Sequence, residues 1–112
     1  MSYNRDMLNK PLDIKKTDKY ETWFNKLRDT TAKAKIEIRV TRLSIGNPGN
    51  HKDFGDISEL RLDYGPGYRV YYTLRGKEII LLLFGGDKGC QSRDIEQARK
   101  LLLEYEEQEK RK

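Results

Sequence analysis

The chain has 112 residues and a single cysteine, Cys90, which excludes an internal disulfide and a cysteine-built metal cage. Charged residues make up 37% and hydrophobic ones 36%, so one modest core in one domain spanning 1–112 is the expectation. The formal charge of +5 permits nucleic-acid binding without requiring it, and no apolar run approaches the ~20 residues needed to span a bilayer.

The N-terminal residues 1–7 are polar, lack an apolar signal core and read as flexible, so a cytoplasmic protein is the simplest expectation. Leu8 to Lys16 reads as a first strand, with Pro11 favouring an edge or a strand start. At Thr17-Asp18 the period changes. Tyr20, Trp23, Phe24 and Leu27 fall at i, i+3, i+4 and i+7, the stripe of an α-helix, and Asp18 with Glu21 resembles a capping box. The spacing is explained by core packing rather than by an aromatic cofactor site. After a break at Arg28-Asp29-Thr30, a second helix is expected from Thr31 to Ile45, with Ala32, Ile36, Val40 and Leu43 as its stripe. Ile36 to Val40 also alternates like a strand, but the Ala-Lys-Ala start and the Gly46 stop favour the helix. The two helices suggest a hairpin.

Gly46 to Asn50 is a turn cluster and His51 to Asp56 reads as loop. The clearest period-two signal follows. Leu60, Leu62 and Tyr64 fall on one side of a strand, and Glu59, Arg61 and Asp63 on the other. After Gly65-Pro66-Gly67, residues Tyr68, Val70, Tyr72 and Leu74 continue the apolar side. A three-residue loop sets Leu62 against Val70, Asp63 against Arg69 and Arg61 against Tyr71. Ile79 to Phe84 is apolar at both parities, the pattern of a central strand. A C-terminal helix with Ser92 as N-cap and a stripe of Ile95, Ala98, Leu102 and Tyr105 closes the chain, with 108–112 expected to fray.

Taken together, Glu59-Leu60-Arg61, Gly65-Pro66-Gly67-Tyr68-Arg69-Val70-Tyr71-Tyr72, Gly85-Gly86-Asp87-Lys88 and Asp94-Ile95 closely resemble the RelE/ParE superfamily of toxins from type II toxin–antitoxin modules. The nearest group is the HigB-like addiction module killer branch, related to a phage-derived protein family. The resemblance covers roughly residues 12–107 and includes Trp23 to Arg28 and Gly46-Asn47. It implies an α+β fold of order β-α-α-β-β-β-α, with a curved, mainly antiparallel sheet. The helical hairpin would cover one face and leave the other as the working face.

RelE-like members cut messenger RNA on the ribosome without a metal or cofactor, by attack of the 2′-hydroxyl on the adjacent phosphate. The resemblance makes Arg69 the first candidate for phosphate contact, followed by Arg61 and Lys88, because an arginine fork can hold two oxygens. Lys52, His51 and Arg93 are the candidates for RNA contact around them. Each has a plainer reading: Arg69 could pair with Asp63, Asp87-Lys88 could be a solvated turn, and His51 a loop histidine. Tyr71 could stack on a base or cap the hairpin face. Several ribosome-dependent relatives carry a tyrosine or histidine near the last helix or the chain end. Ser92-Arg93-Asp94-Ile95 has neither, so Asp87, Glu59 and Tyr71 are the candidates for general base. The expected partners are a helix-turn-helix antitoxin, in a hetero-oligomer, and the ribosome with its mRNA. The competing readings are a ParE-like binder of DNA gyrase without nuclease chemistry, and a member that acts only through its antitoxin.

Overall fold

The computed structural model describes residues 10–111 and orders them as β1 (Asp13–Lys16), α1 (Asp18–Lys26), α2 (Thr30–Ser44), β2 (His51–Asp53), β3 (Ser58–Leu62), β4 (Tyr68–Arg75), β5 (Ile79–Asp87), a 3-10 turn (Lys88–Cys90) and α3 (Gln91–Lys110). The five strands form one sheet in the order β1-β5-β4-β3-β2. β1 runs parallel to β5 and every other pairing is antiparallel. This is the expected α+β architecture with one added edge strand.

Strand alternation sorts the sheet residues onto two faces. Leu60, Leu62, Val70, Tyr72, Ile80 and Leu82 meet Tyr20 of α1 and Ile36, Val40 and Leu43 of α2. Ile57, Tyr71, Leu81 and Leu83 meet Ala98, Leu101 and Leu102 of α3. Each fully buried Ile or Leu in these rows contributes about 1.5–3 kcal/mol. Both parities of β5 are therefore used, which is why Ile79 to Phe84 is apolar throughout. The second face is not left open as the family resemblance implied. α3 lies across it, because its own stripe needs an apolar partner.

Several local expectations are corrected. The first strand begins at Asp13 rather than Leu8, which lies outside the described residues, and Leu12 instead donates its N–H to Ser44 O (2.8 Å). Thr17, not Asp18, caps α1: its hydroxyl accepts from Tyr20 N (3.0 Å) and donates to Leu83 O (2.6 Å), leaving Asp18 in the first turn. His51–Asp53, expected as loop, pairs with β3 as a short edge strand. Ser92 lies inside α3, whose N-cap position is Cys90. Leu74 is 54% exposed, since β3 begins at Ser58 opposite Tyr72 and does not reach the far end of β4.

The β3–β4 register also differs. Leu62 faces Tyr68, Arg61 faces Arg69, and Glu59 faces Tyr71. The connection is thus five residues, 63–67, closed by Gly67 N donating to Tyr64 O (3.0 Å) with Gly65 and Gly67 at positive φ. The slip is two residues, so every side chain keeps its face.

Between β4 and β5 a bulge inserts Leu83: Tyr72 faces Leu82 and Tyr71 faces Phe84. Leu83 and Phe84 then both reach the α3 cluster. Beyond the bulge the two glycines are each pressed from a different side. A Cβ on Gly85 would lie 2.2 Å from the Trp23 ring, and one on Gly86 would lie 1.9 Å from an Asp94 carboxylate oxygen.

Candidate active site

The register places two rows of side chains on the α3 face near the start of that helix. One row runs Arg61, Arg69, Gly86 and the other Lys52, Glu59, Tyr71, Phe84. Arg61 and Arg69 are direct cross-strand neighbours, an unfavourable arrangement for like charges. The Glu59 carboxylate offsets it. Arg61 Nε donates to Glu59 Oε1 (2.6 Å), and Arg69 Nε stands 4.0 Å from Glu59 Oε2. Gln91, in the first turn of α3, donates its side-chain amide to the same Oε2 (2.9 Å). Glu59 is fully buried, so this carboxylate is a fixed internal counter-charge.

The two arginines differ in access. Arg69 is 6% exposed; its Nη1 donates to Gly67 O (3.2 Å) and Tyr68 O (3.0 Å), and its Nε is buried with no hydrogen-bond partner. The Arg61 side chain is 31% exposed, and among the described residues its two Nη groups have no protein partner. That open fork suits an anion with two acceptor oxygens, such as a phosphate. Gly86 leaves no side chain opposite Arg69, in the space that Asp94 approaches.

Asp87 and Lys88 follow Gly86 at the end of β5, where Asp87 pairs with Tyr68, one residue past the Arg69–Gly86 pair and at the other strand parity. Lys88 N donates to Gly67 O (2.9 Å), and a Cβ on Gly67 would lie 3.2 Å from Lys88 Cβ and 3.7 Å from Arg69 Nη1. Gly67 thus lies in contact with both the Lys88 stem and the Arg69 guanidinium. Asp87 is half-buried and accepts from Gly89 N through Oδ1 (2.9 Å). Arg93 shares a shallow hollow of about 390 Å³ with Lys88 and Gln91, and its Nη2 donates to Cys90 Sγ (3.1 Å). Lys52 lies in the Glu59 row, exposed, with Nζ 5.2 Å from the centre of the Phe54 ring. His51 has the opposite parity: it faces Leu60 and hydrogen-bonds Gly49 O through Nδ1 (2.8 Å).

Tyr71 is fully buried, so the expected stacking of its ring on a base does not fit this conformation. Its hydroxyl has no hydrogen-bond partner, and burial, followed by the Glu59 charge, pushes its pKa up. Asp94, also buried, is shifted up: burial raises it, Arg93 opposes, and Asp87 adds to the rise. The sequence does not single out Gln91, and it marks Asp94 only as part of the Asp94-Ile95 motif and not as a site residue. Nothing in the spacing places either beside the strands, and only the docking of α3 brings them to Glu59 and Gly86. The adjacent Gly85-Gly86 pair was the one available signal that something approaches the strand there.

No family model matches the chain. An uncharacterized protein of Haemophilus influenzae is 46% identical over 94 residues, which span 83% of this chain and 95% of that protein. Among solved structures, an E. coli toxin RelE carrying two arginine-to-alanine substitutions, in the free state, superposes with a TM-score of 0.61 at 16% identity, covering 79% of this chain and 98% of RelE. The chain belongs to the same family as the Haemophilus influenzae protein, and its fold is that of RelE.

Proposed function

We propose that this protein is the toxin of a type II toxin–antitoxin pair, in the HigB-like branch of the RelE/ParE superfamily, and that it cleaves messenger RNA on the ribosome. The observation that carries the reading is the paired Arg61 and Arg69 held by one buried Glu59, with an open guanidinium fork at the surface. The shared RelE fold supports it.

In the proposed reaction the ribose 2′-oxygen attacks the adjacent phosphorus and the bond to the 5′-oxygen breaks. The products are a 2′,3′-cyclic phosphate and a 5′-hydroxyl end. Arg61 holds the non-bridging oxygens as negative charge builds on them, and Lys88 adds charge beside Arg69. Glu59 is a positioning residue: it is sealed from solvent by Arg61 and Gln91 and orients the guanidinium groups. Of the three carboxyl or phenol candidates for base, Glu59 and Tyr71 are fully buried and Asp87 is not. Asp87 therefore takes the 2′-hydroxyl proton, and the leaving 5′-oxygen is protonated from the Lys88 side or by water.

Induction in a bacterium, followed by mapping of mRNA 5′ ends, tests the reading. Breaks within translated codons that disappear in Arg61→Gln support it. A second reading, gyrase binding without cleavage, draws on one observation: the carboxylate nearest the arginines is fully buried and out of reach of a substrate. Intact transcripts with a DNA-damage response would favour that reading.

A further inference from the structure

The core uses one face of helix α2, and the outward face carries exposed apolar side chains as well. Ala32, Ile36, Val40 and Leu43 face the sheet. Ala34, Ile38 and Thr41 of α2, with Ile45 at its C-cap, follow one another at steps of four, three and four on the outward side. This is the spacing of a coiled-coil seam. Ile38 is 50% exposed and Ile45 62%, in a chain with few large exposed apolar residues among those described. One flank of the seam is basic. Lys35 and Arg42 are exposed along it. Arg39 lies deeper, donating to Arg61 O (2.7 Å), Pro48 O (2.9 Å) and Asn50 O (2.7 Å). On that flank a groove of about 300 Å³ runs between α2 and the β3–β4 loop, with Ile38, Leu62 and Tyr64 in its walls. Asp63 is its one acidic lining residue, and Glu37 lies on the opposite flank of the seam.

We infer that this seam docks an amphipathic helix of a partner protein whose apolar stripe is flanked by acidic residues. Apolar side chains of the partner pack between Ile38 and Ile45, and its carboxylates meet Lys35 and Arg42. The charge pattern argues against a second copy of this chain in the commonest two-fold arrangement. Antiparallel packing of two α2 helices about a two-fold axis sets each basic flank against itself. The inference stands apart from the proposed nuclease chemistry, because no residue of the seam belongs to the Arg61–Arg69–Glu59 cluster.

The test is a binding titration of the full chain, followed by fluorescence anisotropy. The probe is a labelled helical peptide of about three heptads with leucine at the seam positions and glutamate at the flanks. A matched peptide with lysine in place of glutamate, and a sequence-scrambled acidic peptide, are the controls. The acidic helix binds, and the other two do not. Ile38→Glu with Ile45→Glu, or Lys35→Glu with Arg42→Glu, weakens binding by about tenfold or more, whereas Leu103→Glu leaves it unchanged. Circular dichroism melts confirm that each variant folds. The proposal is overturned by any of four results: no binding of the acidic helix, equal binding of the controls, seam variants that bind like the parent, or a Leu103→Glu loss equal to theirs. A concentration-dependent dimer in light scattering that Ile38→Glu dissolves would instead assign the seam to a second copy. Binding that emerges only after residues 1–9 are deleted would assign it to this chain's own N-terminal segment.

Discussion

Arg61 and Arg69 stand directly opposite each other on β3 and β4, and the buried carboxylate of Glu59 lies within reach of both. The cluster is a single electrostatic unit, because removing its one negative charge leaves two cations facing each other on a covered face. Glu59→Gln should therefore destabilise the fold by about 3 kcal/mol, the size expected for breaking a buried pair from one side. Urea unfolding of the single variant and of Glu59→Gln with Arg69→Met measures it. The second change should recover part of the loss, and a strictly additive result would break the picture of one shared carboxylate.

Gly85 owes its identity to Trp23. A methyl group there would sit inside the indole ring, so Gly85→Ala should cost about 1–3 kcal/mol by overpacking. Combining it with Trp23→Val should cost less than the sum of the two single changes. Thermal melts of the four proteins decide, and additive losses would mean that the ring does not press on the strand.

Thr17 links the first helix to the central sheet through one oxygen. That oxygen accepts from Tyr20 N and donates to Leu83 O. Thr17→Val removes both bonds while keeping the shape, at about 2 kcal/mol. Thr17→Ser should retain most of the stability. If the valine variant melted like the parent, the cap would be incidental.

Asp94 gives a pH test with a definite sign. Burial, reinforced by Asp87 against the pull of Arg93, raises its folded pKa above the ordinary 3.8. The folded state then holds the Asp94 proton more tightly than the unfolded chain does. Ionised Asp94 costs stability above the folded pKa, and the cost fades as pH falls toward 3.8. Asp94→Asn should thus be more stable than the parent at neutral pH, with the gap closing in mildly acidic buffer. A gap that stayed constant with pH would contradict the assignment.

The fold was legible where periodicity decides and illegible where tertiary choice decides. The parity of Leu60, Leu62, Val70 and Tyr72 survived a two-residue error in register, because an even slip preserves the face. The register itself depended on whether Tyr64 would turn back at Gly67, which composition does not specify. β2 is three residues long and entirely exposed, so it carries no alternation to read. The stripe of the last helix was visible in Ile95, Ala98, Leu102 and Tyr105, but not the face it would cover. That choice buried Tyr71 and brought Gln91 to Glu59, and so it reshaped the candidate site more than any strand error.

In the proposed function the Arg61–Arg69 pair serves cleavage of translated RNA. That role is tested most directly by incubating the purified protein with a translating ribosome complex and mapping the mRNA ends. The parent protein should leave 5′-hydroxyl and 2′,3′-cyclic phosphate ends within codons, and a folded Arg61→Gln variant should lose them. Full-length mRNA with the parent protein, or undiminished cleavage by Arg61→Gln, would contradict that role.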